Sequence, residues 1–302
     1  MEIREVAGRT AEMEPLFDAI EADLAAACGE DAALRHVAGV RRLAGLLPGY
    51  MAVDEQTALG MVLFNQANGL GRIAFARSQL TRPAVLAELM DHAVTAMRAR
   101  GAREISAEEE YAGQSVGPTL ARMGFRACER LNMALDVPVE GSPAWPLSFR
   151  IANWREEMFG PSARVLFASF KNSPDALWDG QLRSPEGAAR VLRNISDGKY
   201  GPIDGELSCL VFDRNTPCAI ALVTRRPVTT GYVLALGVIP SYQRRGLGRA
   251  LIKEVAERVR GAGLGRTELT VAAENLAARA LYDGLGFRVV DRYSTFVWSE
   301  RN

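Results

Sequence analysis

The sequence contains few of the residues that build metal and disulfide sites. Two histidines and four cysteines occur among 302 residues, and the cysteines lack the short repeated spacings of zinc and iron–sulfur motifs. No metal site is therefore predicted. The cysteines stand in apolar stretches, so we expect buried, reduced thiols in a protein of the cytoplasm. They are Cys28, Cys128, Cys209 and Cys218.

Long apolar runs are also missing from the sequence. No stretch approaches the ~20 apolar residues that a membrane-spanning helix needs. The first residues carry charge at Glu2, Arg4 and Glu5 instead of the apolar region of a secretory signal. We therefore expect a cytoplasmic protein that does not contact a membrane.

The chain has no excess of charge of either sign. Its formal net charge is 0, so no basic tail indicates nucleic-acid binding. Residues 1–140 contain 14 basic and 20 acidic residues, which gives −6 there and +6 in the remainder. A basic second half fits a polyphosphate ligand, although a solvated surface explains it equally well. With 48% hydrophobic and 24% charged residues, the chain is expected to form two globular domains.

Residues 233–252 have the features of an anion-binding turn. An apolar strand ends in this stretch, and a helix is predicted from about Leu247, directly after Gly246. The first N–H groups of a helix have no partners within it, and with the positive end of the helix dipole they bind phosphate. The Rossmann pattern G-x-G-x-x-G fails at Leu251, and the Walker pattern lacks its G-K-[ST]. The turn is therefore a phosphate site of another type, with the pattern Gln243-x-x-Gly246-x-Gly248.

This hexapeptide resembles the Q/R-x-x-G-x-G/A signature of the GNAT superfamily of N-acetyltransferases, whose loop and helix bind the pyrophosphate of acetyl-coenzyme A. A second segment, Asn275 to Phe287, is similar to the family's N-x-x-A-x-x-x-Y-x-x-x-G-F, although the alanines fall at positions 277, 278 and 280. The two motifs occur in the family's order, separated by a predicted helix and strand. On these residues the chain is identified as a member of the superfamily.

The resemblance implies acetyl-coenzyme A as a cosubstrate, without a metal ion. Its implied binding residues comprise two positions of the central strand, the glycine-rich turn, and one asparagine on the pantetheine arm. They are Leu236, Val238, Gln243, Arg244, Arg245, Gly246, Leu247, Gly248, Arg249, Ala250 and Asn275. As a bare asparagine, Asn275 is also a candidate helix cap.

The resemblance also implies catalytic roles. Tyr282 matches the family's general acid, which protonates the departing thiolate; core packing is the alternative for a tyrosine on an amphipathic helix. No histidine follows His92, and strand 232–239 contains no Asp or Glu, so neither supplies a base. Glu206 is the best remaining carboxylate. Its alternatives are a solvated turn residue and a water chain that carries the proton.

Periodicity predicts a similar order of elements in the two halves. In the first half, helices are predicted within 4–47, at 84–100 and at 115–123, and strands at 51–53, 58–64, 72–76, 103–107 and 132–137. In the second half, helices are predicted at 153–170, at 184–195 and from 247, and strands at 207–213, 218–225, 232–239, 267–271, 288–290 and 293–298.

The repeated order predicts an internal duplication. Gly124–Phe125 matches Gly286–Phe287 at an offset of 162 residues. At this offset Leu120 takes the place of Tyr282 and Gly113 that of Asn275. The glycines of the phosphate turn have no counterpart in the first half. The first copy is therefore predicted to have lost the chemistry.

We thus predict an α/β (α+β) fold of two tandem acetyltransferase-like domains, each a mixed, mostly antiparallel sheet flanked by helices. The predicted limits are 1–138 for a degenerate domain, 139–147 for a turn-rich linker and 148–302 for the catalytic domain. The acceptor region implied by the family lies at 170–178, with Tyr200 and the 204–206 turn. Within it, Trp178 either lines the acceptor pocket or belongs to the core.

The predicted activity is acetyl transfer from acetyl-coenzyme A to a primary amine of a small molecule, by a monomer or homodimer and without nucleic acid. Aminoglycoside acetylation, N-terminal acetylation of a peptide or protein, and a non-catalytic acyl-coenzyme A sensor are the alternatives. The tandem layout resembles that of the mycothiol synthase family, but nothing in residues 153–206 identifies its acceptor.

Overall fold

The computed structural model describes residues 1–6, 10–55, 57–79, 83–111, 114–136, 143, 145, 148–177, 179–226 and 229–300. The chain forms two compact units. The first contains residues 1–128 and 294–302, and the second contains residues 129–293. Each unit has a mixed sheet flanked by helices, so the predicted fold class is confirmed.

The first unit has a sheet in the order β1-β2-β3-β4-β5, followed by the end of the last strand of the chain. All neighbours are antiparallel except β4 and β5, which are parallel. The elements are β1 (Glu2–Glu5), α1 (Glu14–Cys28), α2 (Glu30–Leu46), β2 (Gly49–Asp54), β3 (Thr57–Ala67), β4 (Leu70–Ser78), α3 (Pro83–Ala99), β5 (Glu104–Glu108), β6 (Glu110–Tyr111), β7 (Gln114–Ser115), α4 (Gly117–Arg122) and β8 (Arg126–Asp136).

The second unit repeats this arrangement in the order β9-β10-β11-β12-β13-β8, in which only β12 and β13 are parallel. Its elements are β9 (Phe149–Asn153), α5 (Phe159–Phe170), α6 (Pro185–Ser196), β10 (Cys209–Asp213), β11 (Thr216–Arg226), β12 (Thr230–Val238), α7 (Leu247–Gly261), β13 (Arg266–Ala272), α8 (Leu276–Asp283) and β14 (Arg288–Ser299).

The two compact units end at other residues than the predicted limits of 1–138 and 148–302. Residues 130–136 of β8 pair with β13 and belong to the second unit. Residues 295–299 of β14 pair with β5 and belong to the first. The hydrophobic pattern of a strand shows that it is buried but not which partner it pairs with. Most of the predicted linker, 139–147, lies outside the described residues.

Three predicted elements need correction. The helix expected from Asn153 begins only at Phe159, because residues 149–153 form β9, the edge strand beside β10. No strand is predicted before residue 51, whereas residues 2–5 form β1. The two closing strands form one continuous strand, β14. The start of α6 follows the prediction, with Pro185 in its first turn and the Ser184 hydroxyl accepting a hydrogen bond from the amide of Gly187 at 3.0 Å.

The duplication is visible in backbone details that the two units share. Gly124 and Gly286 both have positive φ, +83° and +89°. The amide after each glycine donates to the carbonyl five residues earlier, that of Leu120 in one unit and of Tyr282 in the other. A β-bulge interrupts β4 at residue 74 and β12 at residue 234. Leu120 is fully buried, as the core interpretation of this position requires.

Helices cover both faces of the second sheet. On one face, α7 packs through Leu251 and Val255 in a cluster that also contains Tyr282. On the other face, α5 and α6 pack through Val165 and Leu192. The parallel strands β12 and β13 run between these layers, and the site described next lies at their carboxyl ends.

Candidate active site

The strands β12 and β13 separate before they end. Their parallel pairing runs from Thr230–Arg266 to Val233–Leu269 and stops there. Beyond that pair, residues 234–238 of β12 and 270–272 of β13 have no ladder partners in each other among the described residues. We call this opening the second-unit fork. Its facing backbone groups can hydrogen-bond an extended chain that contains amides, as a sheet edge does.

The fork opens onto a turn whose amides are free of intrahelical partners. Gly246 is the N-cap of α7 at φ +80° and ψ −5°, a left-handed conformation that favours glycine. No side chain caps the helix, and the first bond within it joins the Ala250 amide to the Gly246 carbonyl at 3.0 Å. The amides of residues 247–249 therefore point outward from the positive end of the helix dipole. This is the arrangement that binds phosphate groups.

Gly248 keeps the mouth of the fork open. A Cβ atom at this position would lie 3.4 Å from Leu281 Cδ2 and 4.0 Å from Val238 Cγ2. It would thus stand between the end of β12 and the side of α8. The Gln243 side chain lies against the end of β12, where its amide nitrogen donates to the Val238 carbonyl at 2.9 Å. Gln243 therefore holds the turn to the end of β12.

Three arginines surround the turn, and all three are exposed. Arg244 has positive φ, +64°, and Arg245 lies over the ring of Tyr242 with its guanidinium carbon 5.2 Å from the centroid. Arg249 donates to the carbonyl of Gly284 at 2.8 Å. The buried residues Leu247 and Ala250 can offer a ligand only their backbones, because their side chains face the core.

The structure brings Tyr282 close to this turn. It lies on α8, which borders the first turn of α7 through Leu281 and through the Arg249–Gly284 bond. Tyr282 is 6% exposed and packs against the ring of Phe287, with 5.6 Å between centroids. Burial, and then the negative charge of Asp175, raise the pKa of Tyr282. The phenol therefore stays protonated at neutral pH, as a proton donor must.

Asn275 lies at the start of α8 as its cap. Its side-chain oxygen accepts a hydrogen bond from the Ala278 amide at 3.2 Å. Its side-chain nitrogen donates to Asp175 at 2.5 Å. The cap interpretation of Asn275 is thus confirmed, and its role toward a ligand stays a prediction.

Sequence reasoning missed Asp175. This residue lies in a 3-10 turn, Pro174–Leu177, and reads in the sequence as part of an ordinary Ser-Pro-Asp turn. One signal was present in its partner, because Arg130 is a charged residue directly before the mostly apolar stretch 131–135. A charge buried in a strand requires a partner of opposite charge. The structure supplies it, with the Arg130 guanidinium donating to Asp175 Oδ1 at 2.7 Å.

Glu206 is not brought together with the other predicted residues. Its carboxylate accepts from the Asn153 side chain at 2.8 Å, and its carbonyl accepts from Arg258 at 3.0 Å. Arg258 lies about 15 Å along α7 from Gly248, at the helical rise of ~1.5 Å per residue. The carboxylate that acts on Tyr282 is that of Asp175. Glu206 as a base stays a prediction without support from this geometry.

The first unit has a fork at the same place, and its own side chains occupy it. The pairing of β4 and β5 stops at Arg72–Ser106. Beyond it, the buried Tyr111 hydroxyl donates to the Ile73 carbonyl at 2.9 Å and accepts from the Glu108 amide at 2.8 Å. Gln114 accepts from the Ser78 amide at 2.8 Å. We call this the first-unit fork. The groups that a ligand would use are already paired there.

Other predicted residues have simpler surroundings. Cys128, Cys209 and Cys218 are free, buried thiols, and burial raises the pKa of Cys209 to about 12 and that of Cys218 to about 11. Trp178 and Gly113 lie outside the described residues. In the described part of the chain, no helix is long and apolar enough to cross a membrane, and no cluster of three potential metal ligands occurs.

Part of the chain is similar in sequence to known acetyltransferases. Residues 178–287 match the acetyltransferase (GNAT) family. A mycothiol acetyltransferase of Beutenbergia cavernae is 49% identical over 110 residues, which are 35% of this chain and 37% of the relative. A ribosomal protein bS18-alanine N-acetyltransferase of Escherichia coli is 36% identical over 74 residues, 24% of this chain and 50% of the relative.

The fold comparison covers the whole chain. A tandem GNAT protein from the clavulanic acid biosynthesis pathway is similar over 99% of this chain and 98% of its own, with a TM-score of 0.58 and 16% sequence identity. The curated relatives, in contrast, are matched over at most half of their length. The family match lies wholly within the second unit, which contains the fork, the turn at 243–249 and Tyr282. The second unit accordingly contains an acetyltransferase (GNAT) family domain, matched over residues 178–287.

Proposed function

We propose that the second unit transfers the acetyl group of acetyl-coenzyme A to a primary amine of a small molecule. One observation carries the proposal: the open fork between β12 and β13 ends at a turn lined by unpaired amides. The pyrophosphate would bind at residues 246–249 and the pantetheine arm would lie along residues 234–238. The exposed arginines beside the turn supply the positive charge that the phosphates need.

The proposed chemistry uses the groups that border the fork. The neutral amine attacks the carbonyl carbon, and a backbone amide of the β12 arm, at Val238 in the family pattern, polarises the carbonyl oxygen. When the tetrahedral intermediate collapses, the carbon–sulfur bond breaks and the Tyr282 hydroxyl protonates the thiolate. The ammonium proton leaves to solvent, since Glu206 lies beside the far half of α7, and the Tyr282 phenolate regains a proton from solvent.

A peptide N-terminus is the second candidate acceptor. It is supported by the similarity to a bS18-alanine N-acetyltransferase, whereas the similarity to a mycothiol acetyltransferase, and the tandem layout, favour a small molecule. A sensor without catalysis is disfavoured, because Tyr282 stands where the family pattern has its general acid. The acceptor region predicted at 170–178 includes Asp175 at its centre.

The test is release of free coenzyme A thiol from acetyl-coenzyme A. Wild-type protein is assayed with a panel of amino sugars, aminoglycosides and diamines, and with peptides that begin with alanine. Turnover with a small amine supports the proposal, and turnover with peptides alone favours the second candidate. Calorimetry with coenzyme A runs in parallel. Binding without thiol release for any amine would identify a sensor, and absence of binding would refute the site.

A further inference from the structure

A single buried carboxylate contacts the end of β13 at the open side of the second-unit fork. Asp175 is 7% exposed, and both of its oxygens accept hydrogen bonds. Oδ1 accepts from the Arg130 guanidinium at 2.7 Å and from the Ala272 amide at 2.8 Å. Oδ2 accepts from the Asn275 side chain at 2.5 Å and from the Ser173 hydroxyl at 3.4 Å. The carboxylate therefore has partners in four different segments.

Two of these partners, Ala272 and Asn275, belong to the arm of the fork that β12 does not form. Ala272 is the last residue of β13, beyond the final pair with β12 at Leu269. Asn275 is the cap of α8, the helix that carries Tyr282. We call residues 270–283 the far arm. On one side β13 is paired with β8, and on the side of the fork Asp175 provides the contact.

The turn that carries Asp175 packs in the helical layer over β10 to β12. Ala176, the neighbour of Asp175, is 2% exposed and belongs to the cluster formed by α5 and α6. The Asp175 amide donates to the Ser173 hydroxyl at 3.2 Å, which fixes the backbone of the turn. Asp175 thus connects the α5–α6 layer to the far arm across the opening. Movement of either one is transmitted to the other through one carboxylate.

An ion pair in this position is not explained by stability. Arg130 is 5% exposed and Asp175 7%, and removal of two charges from water costs free energy that their attraction repays only in part. Apolar residues of similar volume often stabilise a core equally well or better. The geometry is nevertheless specific, because a planar carboxylate with four donors fixes the relative positions of all four. Such a carboxylate is suited to fixing the distances between the segments that carry its four donors.

We infer that Asp175 is a positioning residue for acetyl transfer: it fixes the width of the second-unit fork and the orientation of α8, and so holds Tyr282 against the thioester. The inference rests on the proposed function of the second unit. The negative charge of Asp175 also adds to the rise in the pKa of Tyr282 that burial causes.

The main test compares Asp175→Asn with Asp179→Asn. Asparagine at 175 retains one oxygen that can accept from the Ala272 amide. Its NH₂ group would take the place of Oδ2 and would face Asn275 and Ser173, which both donate to that oxygen. Asp179 is a matched control from the same connection, where it caps a 3-10 turn by accepting from the Gln181 amide at 3.1 Å. We measure coenzyme A affinity by calorimetry, the melting temperature, and thiol release with and without an amine acceptor. Release without amine reports acetyl-coenzyme A hydrolysis and needs no identified acceptor.

We expect kcat for thiol release to fall by ~10²-fold in Asp175→Asn, the size typical of a displacement of about 1 Å at a reacting group. Coenzyme A affinity should change by less than about tenfold, because the turn at 246–249 is intact. Asp179→Asn should remain within about twofold of wild type in both quantities. A wild-type rate in Asp175→Asn, or an equal loss in Asp179→Asn, would overturn the inference.

A double variant separates positioning from stability. Asp175→Asn leaves the Arg130 charge buried without its partner, so the single variant is expected to melt at a lower temperature. Asp175→Asn with Arg130→Gln removes both charges and should recover most of that stability. If Asp175 positions Tyr282, thiol release stays low in the folded double variant. If the double variant recovers the wild-type rate, the role is structural and the inference fails.

Failure of the proposed function gives a different result. Wild-type protein would then show neither coenzyme A binding nor thiol release, and the inference would be overturned together with it. Wild-type binding and turnover with an unaffected Asp175→Asn rate refutes the inference alone.

Discussion

Gly246 and Gly263 stand beyond opposite ends of α7 with nearly the same positive φ, +80° and +76°. Alanine at each position therefore gives a matched pair of variants. At neither position would a Cβ atom meet another atom within 4 Å, so no clash contributes to the effect. The cost in both is that of an L residue in the left-handed region, ~1–2 kcal/mol. For a unit of 150–250 residues, that corresponds to a loss of ~2–8 °C in melting temperature.

The two variants should differ in ligand affinity. The open space around the Gly246 Cβ position is the space that the pyrophosphate would occupy, beside the amides of residues 247–249. Gly263 lies about 20 Å away, at the far end of α7. We therefore expect Gly246→Ala to weaken coenzyme A binding at least about tenfold, or ~1.4 kcal/mol. Gly263→Ala should bind as the wild type does.

The assay is calorimetric titration of each variant with coenzyme A, with thermal denaturation of the free proteins alongside. Equal melting temperatures in the pair show that the backbone strain is matched, so that any difference in affinity arises at the turn. Equal coenzyme A affinities in two folded variants would refute the assignment of the phosphate site to this turn. A loss in Gly263→Ala of the same size would show that strain alone lowers affinity.

Three further predictions follow from the same geometry. Tyr282→Phe keeps the ring that packs on Phe287, so coenzyme A affinity should be unchanged while kcat for thiol release falls by ~10²–10⁴-fold; a wild-type rate would mean that water protonates the thiolate. Calorimetry should give one equivalent of coenzyme A per chain, because Tyr111 and Gln114 occupy the first-unit fork; two sites of comparable affinity would contradict this. Asp204→Asn should lower stability at neutral pH but not in acid. Burial acts to raise the pKa of Asp204, but the Arg225 hydrogen bond and the amides of Leu207 and Glu206 outweigh burial and lower it. The stabilisation is therefore present above the ordinary carboxyl pKa of ~3.9 and is lost as the pH falls through the lower pKa of the folded state. Urea midpoints of wild type and variant should converge there, and a constant difference down to that pH would show that charge is not the cause.

The parts of the site that local sequence determines were predictable. Two glycines at the start of a helix indicate close backbone approach, and the structure has Gly246 in a conformation that other residues rarely adopt. Ser184 and Pro185 likewise mark the start of α6 through capping alone. These signals act over three or four residues, so one sequence contains them completely.

The parts that depend on partners distant in the chain were not predictable. The Asp175–Arg130 pair joins residues 45 positions apart, and neither residue has a local pattern that identifies the other. The pairing of β8 with β13 and of β14 with β5 has the same cause, since tertiary packing decides which strands pair. For Glu206, the sequence showed a carboxylate before a strand but not that Arg258 of α7 would hold its carbonyl.

The difference between the two forks has a consequence for hydrogen exchange. In the first-unit fork, the amides of Ser78 and Glu108 are bonded to Gln114 and Tyr111, so they should exchange slowly in the free protein. In the second-unit fork, the amides of residues 234–238 that face β13 should exchange faster until a ligand pairs with them. Coenzyme A would then slow exchange in one fork and leave the other unchanged. The first unit thus supplies, within the same chain, the protected reference against which occupancy of the second can be measured.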